Sequence, residues 1–277
     1  MTMESLKPIK RSSIRIYFGK KYYRSKRYLE WFTGKKKFAL KKNDNLLPHQ
    51  IFTHRTLLLR QLKDVDMWLQ HNKIKNLKIA TAKLNKVLIK PGETFSYWRL
   101  IGNTTKRKGY VDGMILHYGR VLQGVGGGLC QLSNLIYWMT LHSPLTVTER
   151  YRHSYDVFPD SNRSQPFGSG ATCAYNYLDL QIKNETNNTY QLVVYLTDTH
   201  LVGEWRQDVP AIRTYEVYQR DHWITREYWG GYVRHNRIFR KIYNLDKREI
   251  SDEFITENHA IMMYEPLLPE QTVAAEK

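Results

Sequence analysis

The stretch Gly124–Ser154, GVGGGLCQLSNLIYWMTLHSPLTVTERYRHS, joins a glycine-rich turn to a helix and then to an extended segment. Four of its first five residues are glycines, and the apolar residues that follow recur at steps of three and four, which predicts one face of an α-helix. The apolar positions are Leu129, Leu132, Leu135, Ile136 and Met139. Ser143-Pro144 breaks this pattern, so we expect the helix to end there.

Cys130 lies off the apolar stripe, in the first turn of the predicted helix. Free backbone N–H groups and the positive end of the helix dipole favour a thiolate at that place. His153 follows 23 residues later as a potential base. The pattern therefore predicts a Cys130 nucleophile with His153 as its base, and an oxyanion hole formed by the backbone N–H groups of Cys130 and Gln131.

Charged residues flank this pair in the sequence. Glu149 or Asp156 would orient the imidazole of His153, and Asp179 is a more distant candidate. Arginine guanidinium groups bind carboxylates in a bidentate manner, and glycines keep Cβ atoms away from an incoming substrate. The predicted substrate-binding residues are Gly126, Gly127, Gly128, Arg150, Arg152, Ser154 and Glu93.

The same residues also fit a purely structural interpretation. Cysteine is often buried and then behaves as a small apolar residue. The glycines would allow a tight connection from strand to helix, and His153 would be a core or strand-end histidine. Glu93 follows Pro91-Gly92, where a glutamate commonly braces a turn. Both interpretations stay open at the level of sequence.

Four segments of the chain carry a resemblance to a known family. They are PGETFSY (91–97), GVGGGLCQLSNLIYWMTL (124–141), TERYRHSYDVFP (148–159) and FGSGATCAYNYLDLQI (167–182). Together, and in continuous order from about Leu47 to Tyr264, they resemble the VanW family.

The resemblance implies a function connected with inducible glycopeptide resistance and cell-wall genes of Gram-positive bacteria. We therefore expect an accessory protein of glycopeptide (vancomycin) resistance. In one version it is a cysteine-dependent acyl transferase or amidase acting on peptidoglycan peptides or precursors. In the other it binds a cell-wall precursor, or a partner of the resistance machinery, without chemistry.

The charge of the chain is concentrated at its N-terminus. Residues 1–42 hold 14 Lys and Arg against Glu4 and Glu30, a net charge of +12 out of +17. We predict residues 1–46 to be a basic, partly disordered arm. A solvated arm without a partner is one interpretation, and attraction to an anionic membrane or wall polymer is the second. Nucleic acid is the least favoured partner, because no nucleic-acid-binding motif is present.

The sequence offers no support for a membrane span, a cofactor or a metal. No run of 18 apolar residues and no signal-peptide pattern occurs, which predicts a cytoplasmic protein, with peripheral attachment at the inner membrane face as an extension. The glycine loop lacks the spacing of nucleotide-binding loops, and Cys130 and Cys173 are expected to be free thiols. The histidines and cysteines show no metal-binding spacing, so we expect no metal and no cofactor.

Periodicity predicts an α+β fold in which helices and the Cys130 helix pack on a largely antiparallel sheet, with a β-rich C-terminal half. The predicted helices before the glycine loop are Ile51–His71 and Asn76–Leu84. The predicted strands and hairpins are Val87–Lys90, the hairpin Met114–Leu122, the strand Val147–Val157, a hairpin joining Leu178–Ile182 to Tyr190–Leu196, and the strands Thr214–Gln219, Trp223–Tyr228, Tyr232–Tyr243 and Ile250–Thr256.

We expect one VanW-like domain over residues 47–265. A β-rich subdomain would begin at about residue 184, and residues 266–277 would form a flexible tail. The polar segment 160–170 is predicted to be a lid, a substrate rim or an ordinary connecting loop.

Overall fold

The computed structural model describes residue 8 and residues 11–59, 66–117, 119–157 and 165–266. These residues contain four α-helices and thirteen strands, most of them antiparallel, so the predicted α+β class is confirmed. The helices are α1 (Ser13–Phe32), α2 (Met67–Leu84), α3 (Tyr97–Ile101) and α4 (Cys130–Leu141), with a 3-10 turn at Lys106–Lys108. Among the described residues, no helix has the length and apolar character needed to cross a membrane.

The first sheet has four antiparallel strands, in the order β1-β10-β9-β2. They are β1 (His49–Leu57), β10 (His200–Gln207), β9 (Tyr190–Leu196) and β2 (Val87–Ile89). Helices α2 and α4 pack on this sheet, and their apolar faces meet its inward side chains in one core. Fully buried Leu135 of α4, Leu77 of α2 and Trp205 of β10 belong to that core.

A second, smaller sheet has the order β3-β8-β6, all antiparallel. Its strands are β3 (Thr94–Ser96), β8 (Gln181–Lys183) and β6 (Thr146–Glu149). Strand β6 lies at the edge of this sheet. A separate hairpin of β4 (Asp112–His117) and β5 (Arg120–Val125) leads into the glycine loop, which confirms the predicted hairpin; its predicted turn residue Tyr118 lies outside the described residues.

The third sheet is built from the long strands of the C-terminal part, in the order β11-β12-β13-β7. Its strands are β11 (Thr214–Arg226), β12 (Tyr232–Tyr243), β13 (Glu249–Met262) and the short parallel strand β7 (Tyr155–Asp156). The strands predicted separately at 214–219 and 223–228 are one strand, β11, with a register shift between Gln219 and Asp221. The predicted strand Val147–Val157 is divided between β6 and β7, which belong to different sheets.

The helix predicted over Ile51–His71 is wrong in its first part. Residues 49–57 form β1, paired in antiparallel register with β10, and α2 begins only at Met67; residues 60–65 of the predicted helix lie outside the described residues. The run Ile-Phe-Thr-His-Arg-Thr is rich in β-branched and aromatic residues, which suit a pleated strand. Its apolar residues fitted both periods, and pairing with a strand about 150 residues away decided between them.

The predicted hairpin between Leu178–Ile182 and Tyr190–Leu196 is also wrong in its pairing. Strand β8 pairs with β3 and β6, whereas β9 pairs with β10 and β2. The polar turn between them connects two sheets. Asn184 holds that turn, because its side-chain Nδ2 donates to the carbonyls of Ile89 and Asn188.

The N-terminal arm is partly integrated into the fold. Helix α1 places Arg27 and Trp31 against the rest of the chain, and Phe38 is buried in the main core. Phe38 forms a bridge with Thr94, and Lys42 forms one with Val87. Residues 27–42 therefore help to build the domain predicted to begin at residue 47. Residues 1–7 and 9–10 of the arm and 267–277 of the predicted tail lie outside the described residues.

Candidate functional site

The glycine loop is packed against the protein's own backbone. A Cβ atom added to Gly127 would lie 2.2 Å from the carbonyl carbon of Gly113 in β4, and one on Gly126 would lie 2.6 Å from Thr104 Oγ1. One on Gly128 would lie 2.3 Å from Cγ of Lys73. The faces that we expected to admit a substrate are thus occupied by intramolecular neighbours.

Asn76 of α2 fixes this loop, and sequence reasoning missed it. Its side chain is fully buried, and Nδ2 donates to the carbonyls of Val111 and Gly127 at 3.0 and 2.9 Å. Its Oδ1 accepts from the backbone N–H of Val111 at 2.9 Å. An amide in the middle of an amphipathic helix gives no sign of such contacts, since a solvated position would look the same.

Cys130 is the first residue of α4, as predicted, and it is half-buried. Burial raises the pKa of its thiol, and hydrogen bonding to backbone N–H groups, including that of Cys173, lowers it only in part. The net direction is opposite to the one that the helix N-terminus predicted. The helix dipole favours a thiolate here less than desolvation opposes it.

His153 lies in the segment between β6 and β7. Burial lowers the pKa of its imidazole, which favours the neutral form. In the part of the chain that the structure describes, no hydrogen bond joins His153 to Cys130, and Arg152 donates to the backbone carbonyl of His153 at 3.3 Å. Gln131, predicted in the oxyanion hole, donates from Nε2 to Thr56 Oγ1 and to the carbonyl of Leu57. The structure therefore gives the predicted Cys130–His153 pair no direct link.

Cys130 instead has Cys173 as its neighbour. Both thiols are free. Burial raises the pKa of Cys173 strongly, and the nearby Cys130 and Asp179 raise it further. The two cysteines thus lie within a buried polar region between α4 and the loop that precedes β8.

Asp179 is the most buried acid of this region. It is fully buried, and it accepts from Ser96 Oγ at 2.5 Å and from the backbone N–H groups of Trp98 and Leu180 at 2.9 and 3.0 Å. Burial raises its pKa to about 7 despite these bonds and despite the nearby Arg27. Ser96 in turn caps α3 by accepting from the N–H of Arg99, so Asp179 braces the start of that helix.

Glu149 is held by the N-terminal arm. Arg27 of α1 forms ion pairs with Glu149 and Glu30 and donates to the carbonyl of Asn176 at 3.1 Å. The backbone N–H of Asp179 donates to Glu149 at 3.2 Å. Glu149 was expected to orient His153, but its hydrogen bonds in the described residues go to Arg27 and Asp179. Local sequence patterns give no signal for a pair separated by 122 residues.

Arg150 is bound along its whole guanidinium group. Nε donates to the carbonyl of Gly170 at 2.8 Å, Nη2 donates to Gly168, and Nη1 donates to Asn258 Oδ1 at 3.2 Å. The guanidinium also lies over the ring of Tyr137, 4.7 Å from its centroid. This arginine therefore ties β13 to the loop that precedes β8.

The remaining predicted residues are placed as follows. Burial lowers the pKa of Arg152 to about 10, and the neighbouring Arg150 lowers it further. Ser154 accepts at its backbone carbonyl from the N–H of Ile261. Glu93 accepts from the N–H of Lys90 at 3.0 Å, which braces the Pro91-Gly92 turn and matches the structural alternative for this residue. Asp156 is ion-paired with Arg234 and accepts from the hydroxyl of Tyr264.

A groove of about 320 Å³ lies between β6 and β13. One wall is β6 with the following Arg150, and the opposite wall is the stretch 254–256 of β13. Two arginines span it: Arg150 reaches Thr256, and Arg240 of β12 donates to the carbonyls of Leu141 and Ser143. The groove thus brings the predicted residues Glu149 and Arg150 together with Arg240, Thr256 and Tyr137, which the sequence did not indicate.

The comparisons with known proteins agree with this organisation. The family of VanW-like proteins matches residues 72–206. Vancomycin B-type resistance protein VanW of Enterococcus faecalis is 36% identical over 209 residues, which cover 76% of this chain and 76% of that protein. The chain belongs to the VanW family.

A second relative is more distant. Uncharacterized protein YoaR of Bacillus subtilis is 30% identical to this VanW family member over 115 residues, which cover 40% of this chain and 35% of YoaR. No solved structure matches the chain. The family match includes Cys130, His153, Glu149 and Asp179, whereas α1 with Arg27 and the β13 wall of the groove lie outside it.

Within the described ranges, no group of three or more His, Cys, Asp or Glu side chains is arranged to hold a metal ion. Two histidines in the long sheet nevertheless bond each other, His235 Nδ1 to His259 Nδ1 at 2.7 Å. Burial lowers the pKa of both, for His235 to about 4. This pair is neutral and shares one proton, so it ties β12 to β13 in this VanW family member.

We expect Cys130 to react slowly with iodoacetamide near neutral pH, because burial holds it as the thiol. Alkylation of a Cys173→Ser variant should be about tenfold or more slower than that of free cysteine, and His153→Ala should leave the rate unchanged. Mass spectrometry after timed labelling measures both rates. Labelling in urea is the control for chemical competence. Rapid labelling that slows in His153→Ala would contradict the prediction and restore the Cys130–His153 pair.

Proposed function

We propose that this protein contributes to glycopeptide resistance by binding a peptide of a cell-wall precursor, without chemistry of its own. The observation that carries the resistance role is its similarity to the Enterococcus faecalis resistance protein over three quarters of both chains. The raised pKa of Cys130, with no hydrogen bond to His153 in the described residues, favours binding over cysteine-dependent catalysis.

The groove between β6 and β13 is the proposed binding surface. Its volume of about 320 Å³ lies within the range of ligand pockets. Strand β6 is the edge of its sheet, and residues 254–256 of β13 pair only with β12 in the described chain. An extended peptide gains main-chain hydrogen bonds at such an edge, so the groove suits an extended peptide segment.

The side chains of the groove indicate the chemistry of that peptide. Arg150 and Arg240 place two guanidinium groups at the groove, while Glu149 is neutralised by its ion pair with Arg27. The aromatic ring of Tyr137 and the half-exposed ring of Phe254 provide apolar contact. A short peptide with a free carboxylate, such as the stem peptide of a wall precursor, fits this combination. Precursors on the cytoplasmic side of the membrane would be accessible to it.

Cysteine-dependent acyl transfer or amide hydrolysis is the second candidate. The observation in its favour is that Cys130 begins α4 directly after the glycine loop, with the N–H of Cys173 beside its sulfur. Cys130→Ala separates the two functions: it would abolish activity in an enzyme and leave peptide binding unchanged in a binding protein. Resistance of a glycopeptide-resistant host that lacks its own VanW-like protein provides the cellular readout.

Filling the groove should abolish peptide binding. Thr148 is exposed and lines the groove, so Thr148→Trp should weaken the affinity for a synthetic stem pentapeptide by about tenfold or more, measured by calorimetry. Thr214→Trp is the matched control, since Thr214 is an exposed strand residue outside the groove. Equal affinities for both variants would remove the groove from the proposal, and no binding by the wild type would refute a stem peptide as ligand.

A further inference from the structure

Helix α1 has a face that is bound to the protein. Arg27 and Trp31 are 8% and 9% exposed, and Arg27 makes the ion pairs with Glu149 and Glu30. On the same side, the hydroxyl of Tyr28 lies 2.9 Å from that of Tyr175, and Arg24 lies over the Tyr175 ring. These contacts fix the rotation of α1 about its axis, so its opposite face is directed to solvent.

That outward face is apolar over the full length of the helix. Its large side chains recur at intervals of four, four, seven and three residues, which keeps them on one side of an α-helix. Each is at least 64% exposed. They are Ile14, Phe18, Tyr22, Leu29 and Phe32. A 20-residue helix is about 30 Å long, so the stripe is far more than an isolated apolar residue.

Basic side chains border this stripe. Lys21 lies along one side, and Arg15 and Lys26 lie along the other. The helix has a single acid, Glu30, and that acid is already bound to Arg27 and Lys36. An apolar stripe bordered by Lys and Arg is typical of helices that lie in the plane of a membrane surface. The long side chains can keep their charges among headgroups while their stems follow the apolar surface.

We propose that the outward face of α1 binds the surface of an anionic lipid bilayer, with the apolar stripe inserted between the headgroups. A soluble polyanion such as nucleic acid or a wall polymer would use the charges and leave the stripe in water. A second copy of the chain would bring two strongly basic helices together, which like-charge repulsion opposes. A bilayer with anionic lipids satisfies the charges and the stripe at once.

The same contact determines where the proposed peptide groove would lie. Arg27 extends from the inner face of α1 to Glu149, which lines the groove. A membrane-bound α1 would therefore hold the groove close to the bilayer surface, where lipid-linked precursors are found. This placement depends on the proposed function, whereas membrane binding by α1 does not.

Vesicle flotation of the full chain tests the proposal. Binding to vesicles of 70% phosphatidylcholine and 30% phosphatidylglycerol is expected, with little binding to phosphatidylcholine alone. Replacing Phe18 and Leu29 together by serine should lower the partition coefficient at least about tenfold, because each buried side chain contributes about that factor or more. Thermal unfolding of this variant should match the wild type, since both residues are exposed.

The matched control replaces Tyr228 and Leu245 by serine, two residues that are 75% and 71% exposed and distant in sequence from α1. It should bind like the wild type. Equal vesicle binding by both double variants would overturn the proposal, because charge alone would then explain the attraction. So would a loss of self-association in the Phe18/Leu29 variant without any loss of vesicle binding, which would assign the stripe to a second copy of the chain.

Discussion

Replacing Gly127 by alanine is expected to lower the free energy of unfolding by about 3 kcal/mol or more. The new methyl group would lie 2.2 Å from the carbonyl carbon and 2.3 Å from the carbonyl oxygen of Gly113. Both neighbours are backbone atoms of β4, so no side-chain rotation can relieve the overlap. The loop would have to move away from β4 and break the hydrogen bond that Asn76 donates to the Gly127 carbonyl. Urea denaturation measures the loss.

Gly19→Ala is the control for this prediction. Gly19 lies inside α1, and an added Cβ would have no atom within 4 Å. Alanine has the higher helix propensity, so this variant should be as stable as the wild type or more stable by up to about 1 kcal/mol. If Gly127→Ala were as well tolerated as Gly19→Ala, the loop would be free to shift, and the interpretation of its glycines as substrate-facing would regain support.

Local patterns predicted the elements whose cause is local. The 3.6-residue period after Leu129 predicted α4, and alternation predicted the β4–β5 hairpin and the long C-terminal strands. Glycine and proline fixed the ends of these elements. Pairing over long distances was not predictable in this way. The side chains of residues 51–57 suited helix and strand alike, and only β10, far along the chain, selected the strand.

The site followed the same division. The sequence placed Cys130 at a helix start, which is a local property, and the structure agrees. It also paired Cys130 with His153, which depends on how the segment after β6 is oriented. The ion pair of Arg27 with Glu149 crosses 122 residues and joins a presumed arm to the domain. A charge run looks the same whether its arginines are solvated or buried, so the sequence could not single out Arg27.

Replacing Asp179 by alanine is expected to destabilise the protein by about 4 kcal/mol at any pH. The change leaves the Ser96 hydroxyl and the N–H groups of Trp98 and Leu180 without their acceptor, and all three residues are buried. Each buried donor without a partner costs about 1–3 kcal/mol. Asp179→Asn is the control, because an asparagine oxygen can still accept from both backbone N–H groups. A loss below about 1 kcal/mol in Asp179→Ala would mean that water replaces the carboxylate.

The Asn control also reveals how pH acts on this buried acid. Burial raises the pKa of Asp179 from 3.8 to about 7 in the folded protein. Between these values the folded state keeps a proton that the unfolded chain has released, so raising the pH favours unfolding. The stability of the wild type relative to Asp179→Asn should therefore be highest near pH 4 and fall by up to about 4 kcal/mol as the pH rises past 7. Buried histidines such as His142 and His235, whose pKa values are lowered to about 4, act in the opposite sense, but they cancel in this difference because both proteins contain them. Urea denaturation of both proteins from pH 4 to pH 8 gives the curve. A difference that stays constant would show that Asp179 is ionised throughout, held by its three donors and by Arg27 more strongly than burial opposes it.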